Sequence, residues 1–207
     1  MRKLFFALSA LAALTLLAPS SGFAQATNQV GLYMSTSDLT TDHTDATPFQ
    51  VIIIYLVISY PYVYESDYGN VGPGTAISAY EGRIEVPMGE TIFSFTPAGD
   101  GIDVGTLPET IIGFGTPLTV TDNHCVVGNY VIQTQGAAET MYYLTPIAVG
   151  NSIPNELAMA VDAGNGNADL VAIYPTSSSH ELPVFVVNGT PVDTESETWG
   201  GMKSLYR

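Results

Sequence analysis

The sequence predicts an all-β protein, a two-sheet antiparallel β-sandwich that follows a cleaved N-terminal signal peptide. Three observations point there. Short apolar or alternating runs recur along the chain, separated by Gly, Pro, Asn, Asp, Ser and Thr. Beyond residue 26 no long stretch keeps a helical period. Of the 207 residues, 46% are hydrophobic and 12% charged, a balance that builds a core and excludes a disordered acidic chain.

The elements follow in order. Met1–Arg2–Lys3 is a short positive segment, Leu4 to Ala18 is apolar, Pro19 to Gly22 breaks the run, and Ala24 and Ala26 form an A-x-A site. That order marks a secretory signal over residues 1–26, and its apolar part is too short to span a bilayer. The strands expected after it are Val30–Met34, Phe49–Ser59, Ala76–Val86, Thr91–Phe95, Thr110–Gly115, Val126–Thr134, Thr140–Pro146, Leu157–Asp162, Leu170–Tyr174 and Pro183–Val187. Val51 to Ile58 is apolar at every position but Tyr55, which predicts a strand covered on both faces. In Ala76–Val86 one alternating set holds Tyr80, Ile84 and Val86 and the other Glu81, Arg83 and Glu85, the pattern of a half-buried strand. Leu157–Asp162 also fits a helix capped by Asn155, but Leu157, Met159 and Val161 alternate, and a strand is the expectation. Asp67–Gly74, Ala98–Gly101 and Gly164–Ala168 read as turns, and Asn188–Gly189 as a tight type I′ turn with Thr190–Val192 returning. Nothing divides the mature chain, so one sandwich domain is expected over residues 27–193, with a tail over 194–207.

Charge narrows the partners. Twenty Asp and Glu stand against five Lys and Arg, a formal net charge of −15. Loss of the signal removes Arg2 and Lys3 and leaves Arg83, Lys203 and Arg207. Three bases cannot neutralise a nucleic-acid backbone or form a polybasic membrane patch, and no second apolar run is long enough for a transmembrane segment. Cys125 is the single cysteine, which excludes an internal disulfide. Flanked by Val126 and Val127, it reads as a small buried hydrophobe.

The order of features resembles a known group. Val30–Gly31–Leu32–Tyr33 opens the domain, Ile77-Ser-Ala-Tyr-Glu-Gly-Arg-Ile-Glu-Val-Pro87 follows, then Tyr174–Pro175, and then Pro183-Val-Phe-Val-Val-Asn-Gly189. The chain ends in Thr198-Trp-Gly-Gly-Met-Lys-Ser-Leu-Tyr-Arg207. Together these resemble uncharacterised secreted bacterial single-domain β-sandwich proteins with a terminal T-W-G-x-x-K-x-L-Y-R signature, and the strand pattern is loosely similar to cohesin-type sandwiches. The resemblance implies export and a cohesin- or immunoglobulin-like fold, and it implies no active site.

Catalytic chemistry finds little support. There is no G-x-S-x-G elbow, and His43, His124 and His180 are scattered. His124 and Cys125 are consecutive, so a strand through them points the two side chains apart. His180, after Ser177-Ser-Ser179, reads as a solvated loop residue. Nothing among the twenty acids singles out a glycosidase pair. Histidine and cysteine spacing offers no zinc ligand pair, while the uncompensated carboxylates make calcium the better-supported cofactor. Its best ligands are Asp162, Asn167 and Asp169 in D-A-G-N-G-N-A-D, although the favoured reading of such Asp, Asn and Gly residues is that they serve turns and solubility.

Two segments suit binding. In an extended Tyr60-Pro-Tyr-Val-Tyr64, residues Tyr60, Tyr62 and Tyr64 share a face with Glu65 and Asp67 just beyond, a platform for stacking on a polysaccharide. Packing in the core or at a sandwich edge is the favoured reading of the same tyrosines. At the C-terminus Trp199, Met202, Leu205 and Tyr206 recur at helical spacing, with Lys203 and Arg207 beside them. That tail docks on its own sandwich or on a partner, a neighbouring acidic copy included. The function these readings favour is a secreted, non-enzymatic protein of the cell surface or extracellular matrix, acting in adhesion or assembly through a protein partner or self-assembly. A carbohydrate-binding module is the alternative, and a secreted hydrolase a third.

Overall fold

The computed structural model describes residues 27–69 and 71–191. Residues 1–26, expected to be a signal peptide, and the Trp199–Arg207 tail lie outside them. The described residues form fourteen strands: β1 (Gln29–Tyr33), β2 (His43–Thr44), β3 (Val51–Ser59), β4 (Tyr62–Val63), β5 (Gly72–Pro73), β6 (Ala76–Glu85), β7 (Thr91–Pro97), β8 (Gly101–Asp103), β9 (Glu109–Thr119), β10 (His124–Gln133), β11 (Thr140–Thr145), β12 (Leu157–Asp162), β13 (Asp169–Pro175) and β14 (Phe185–Val187). All-β character is thus confirmed, and Leu157–Asp162 is a strand.

Two layers face each other across the core. The first runs β1-β3-β10-β7, antiparallel throughout. The second runs β13-β12-β6-β9-β8, also antiparallel. β1 joins the layers through two parallel pairs with β13, Gln29↔Tyr174 and Val30↔Pro175. Arg83 pairs with Glu109 of β9 on one side and Thr145 of β11 on the other, so β11 and β12 share one flank of β6. β11 then carries β14 and β2 beyond it.

The core consists of inward alternating residues. Leu32, Ile54, Ile132 and Tyr130 from the first layer and Tyr80, Ile84, Ile112 and Met159 from the second are all fully or almost fully buried. Fully burying one such aliphatic or aromatic side chain contributes about 1.5–3 kcal/mol. Buried hydroxyls are paired across the layers where Tyr130 Oη meets Thr110 Oγ1 at 2.8 Å, and the Tyr130 ring tilts against Phe95 at 4.6 Å.

Four details differ from the sequence expectation. β3 is covered on both faces only in its second half. Leu56, Val57 and Ile58 are at 0% exposure, but Val51 and Ile53 stand half out of the protein. Glu81 is buried rather than solvated, because its carboxylate accepts both the amide and the hydroxyl of Ser152 at 2.8 Å. Asn188–Gly189 does not close a hairpin. The Asn188 amide donates to Thr44 O, its side chain accepts from the Ala46 amide, and Thr190 and Pro191 join no strand. His180 is half-buried: Nδ1 lies 3.0 Å from Leu144 O and Nε2 3.3 Å from Glu156 Oε2.

Candidate functional site

Register places an apolar surface on the outside of the first layer. Residues paired across a ladder share a face, and Ile53↔Val131↔Ser94 and Val51↔Gln133↔Thr91 are such rows. Their strand neighbours Ile52, Ile54, Tyr130 and Ile132 point inward and are buried, so Val51, Ile53 and Val131 point out. The β7–β10 register skips a residue between Ile92 and Ser94. The extra residue is Phe93, and this bulge leaves it 53% exposed on the same layer. Phe49, just before β3, adds a further exposed ring. Its φ of +62° is a strained value for an aromatic residue. Its amide donates to Thr134 O at 2.7 Å, and Gln133 Nε2 donates to its carbonyl at 3.3 Å. The backbone is thus held by two bonds while the ring stays in water. Phe49, Val51, Ile53 and Phe93 were not singled out by the sequence reading. A strand predicted to be covered on both sides hid the first half of β3, and a bulge has no signature in a single sequence.

The tyrosine segment is not one extended stripe. Tyr60 has φ +51°, its amide donates to Asn123 O, and its carbonyl accepts the Asn28 amide. The chain therefore turns at Tyr60. Tyr62 and Tyr64 remain together, rings 4.7 Å apart at 44°. Tyr62 is half-buried and Tyr64 and Tyr68 are exposed, as are Glu65 and Asp67. Tyr64 Oη also bonds Thr27 Oγ1.

The Asp162–Asp169 turn meets this segment. Ser66 Oγ donates to Asp169 Oδ2 at 2.6 Å, and Asn165 Nδ2 donates to Tyr68 O at 3.3 Å. Asp162 Oδ1 accepts the amides of Gly164 and Asn165, and Oδ2 accepts that of Gly166. Asn167 donates its amide to Asn165 Oδ1. Asp162 therefore organises its own turn, and Asp169, 7% exposed, anchors the tyrosine segment. Among the described residues no group of three or more His, Cys, Asp or Glu is placed to hold a metal.

Cys125 lies in the core at 4% exposure, and burial pushes its thiol up from 9.0 to about 12. His124 on the opposite face turns Nδ1 toward Asp122 O. The pair forms no nucleophile–base contact. The Trp199, Met202, Lys203, Leu205, Tyr206 and Arg207 expected to dock a partner lie outside the described residues. Among the described residues no helix is long and apolar enough to cross a membrane.

No protein-family model and no curated protein matches the chain. Among solved structures, the chain is similar to a type II cohesin domain from the cellulosome of Acetivibrio cellulolyticus. That match is 9% identical and covers 82% of this chain and 100% of that one, with a TM-score of 0.47. It is also similar to a chain of the CaDoc0917–CaCohA2 complex solved at pH 5.5, at 11% identity, covering 70% of this chain and 99% of that one, with a TM-score of 0.40. At such identities no site residue carries over.

Proposed function

We propose that this chain is an exported, non-enzymatic β-sandwich of the cell surface or extracellular matrix, acting in adhesion or assembly by binding a protein across the outer face of β3, β10 and β7. The observation that carries this reading is Val51 and Ile53, 50% and 46% exposed on the outer face of the first layer, with Phe93 bulged out of the same layer at 53% and Phe49, just before β3, at 65%. Isolated exposed apolar residues are ordinary on protein surfaces. Neighbouring ones on a flat sheet face are the mark of a surface that another protein desolvates. Aromatic side chains dominate such contacts, which suits Phe49 and Phe93 as anchors. Export is supported by the basic, apolar and A-x-A segments of residues 1–26.

The test is surface retention of the full chain in its native host, compared with Ile53→Ser combined with Phe93→Ser. Loss of retention with an unchanged melting temperature supports the reading. Equal retention of a folded double variant overturns it.

A second reading, a carbohydrate-binding module, is favoured by the tilted Tyr62–Tyr64 ring pair beside exposed Tyr68 and Asn165. Co-sedimentation with insoluble polysaccharides tests it. Binding that Tyr64→Ala removes would favour this reading, and no binding to any of them would retire it.

A further inference from the structure

A groove opens where β6 and β11 part. β6 ends at Glu85, and the chain turns through Val86 and Pro87 toward β7, held there by Tyr142 Oη bonding Glu90 Oε2. β11 pairs with β6 only over Tyr143–Thr145, while its first half, Thr140–Tyr142, pairs with β14 on the opposite flank. Tyr142 O accepts the Val184 amide on that flank. Ladder alternation then turns the N–H and C=O of Met141 toward the space β6 has vacated. The groove has a volume of about 320 Å³, at the small end of binding pockets. Glu85, Glu139 and Thr140 line it together with Val86, Pro87, Met141 and Tyr143.

Three features point to one occupant. First, Arg83 is the sole Lys or Arg among the described residues, and neither Glu85 nor Glu139 forms an ion pair with it. The remaining bases of the mature chain are Lys203 and Arg207. Second, the described chain leaves beside the groove: Gly189 lies so close to the Glu139 carboxylate that a Cβ there would collide with it. Seven residues lie between Pro191 and Trp199, eight Cα steps with a reach of up to about 27 Å when extended. Third, the lining pairs carboxylates with apolar and aromatic side chains, Val86, Pro87, Met141 and Tyr143, and in the tail Trp199, Met202, Leu205 and Tyr206 likewise accompany the two bases. We propose that the β6–β11 groove seats the chain's own C-terminal segment, Trp199–Arg207, with Lys203 and Arg207 against Glu85 and Glu139 and an apolar side chain against Met141 and Tyr143. A tether this short holds the segment at millimolar effective concentration, so weak contacts suffice to seat it in the same molecule. The open flank at Met141 offers it a main-chain partner as well.

Trypsin reads this directly, because the Lys203–Ser204 bond is cut only when the segment is free. The full chain is digested beside Glu85→Gln combined with Glu139→Gln, and release of Ser204–Arg207 is followed by mass. Both glutamates are exposed, so the substitutions spare the core. Cleavage after Arg83, inside β6, reports any loss of fold in the same digest. Cleavage after Lys203 is expected to be roughly five- to tenfold faster in the double variant, the worth of two exposed ion pairs. Arg207→Gln should accelerate it in the same direction, and adding Arg207→Gln to the double variant should add little. Equal rates in parent and double variant would overturn the proposal. Protection lost on hundredfold dilution would also overturn it, by assigning the groove to the tail of a second copy.

Discussion

The two layers present nearly identical inner faces and opposite outer ones. Inside, Ile54, Tyr130 and Ile132 meet Tyr80, Ile112 and Met159, all buried. Outside, the second layer carries the row Leu170↔Ala160↔Ala79↔Gly113↔Ile102, with small residues at its centre and exposed Leu170 and Ile102 at its two ends. The first layer carries Val51, Ile53, Val131 and Phe93 instead. Burial dictates the inner faces of any sandwich, so their likeness says nothing about function. An outer face is free to be polar. Large apolar side chains retained there cost solubility unless something covers them. On the first layer they sit on adjacent strands, whereas on the second two alanines and a glycine separate exposed Leu170 from exposed Ile102. That contrast is why the first layer, and not the second, is read as the binding face.

Adjacent residues of β3 test the contrast most strongly. Ile54→Ala, inside, should cost about 2–5 kcal/mol, read as a large fall in the urea midpoint. Ile53→Ser, one residue away and outside, should change stability by no more than about 0.5 kcal/mol. Comparable losses at both positions would mean that the outer face is itself covered and not available to a partner. Tyr130→Phe comes next. It removes the hydroxyl bonded to Thr110 in the core and should cost about 1–1.5 kcal/mol by thermal or urea unfolding.

The pH response is smaller near neutrality and grows in alkali. Burial raises the Tyr33 phenol from 10.0 to about 12 and the Cys125 thiol from 9.0 to about 12. Both are neutral when protonated, so folding favours the protonated form. The associated stability is intact below pH 9 and is lost as pH rises through about 12. A melting temperature that falls progressively above pH 9, with Cys125 unreactive to a thiol reagent at pH 8 until the chain unfolds, is the expected result. Prompt labelling of the native protein at pH 8 would place the thiol at the surface. The smallest effect is expected from chelation. Asp162 already accepts three amides from its own turn, and a chelator should leave the melting temperature unchanged at constant pH. A clear fall would restore the calcium reading of Asp162, Asn167 and Asp169.

The strands were legible because alternation and turn residues are local. Val30–Met34, Ala76–Val86, Val126–Thr134 and Leu157–Asp162 each match a strand to within a few residues. The two-residue strands β2, β4 and β5 were not, since they exist only as partners of distant segments. Glu81 looked like a solvent-facing residue by parity, and a loop seventy residues away buried it under Ser152. His180 looked like a loop residue, and Leu144 and Glu156 enclosed it. The Tyr60 stripe failed at one backbone angle.

The sequence by itself determined the strand positions, the cysteine's place in the core and the acidity of the surface. Each follows from residue type and spacing along a few neighbouring positions. Only the tertiary structure decided which half of β3 is exposed, that Phe93 is turned outward by a bulge, that the tyrosine segment and the Asp162–Asp169 turn form one surface, and that β6 and β11 part to leave a groove. Those features depend on register between segments far apart in the chain. A one-residue shift in register exchanges inside for outside without changing any local pattern.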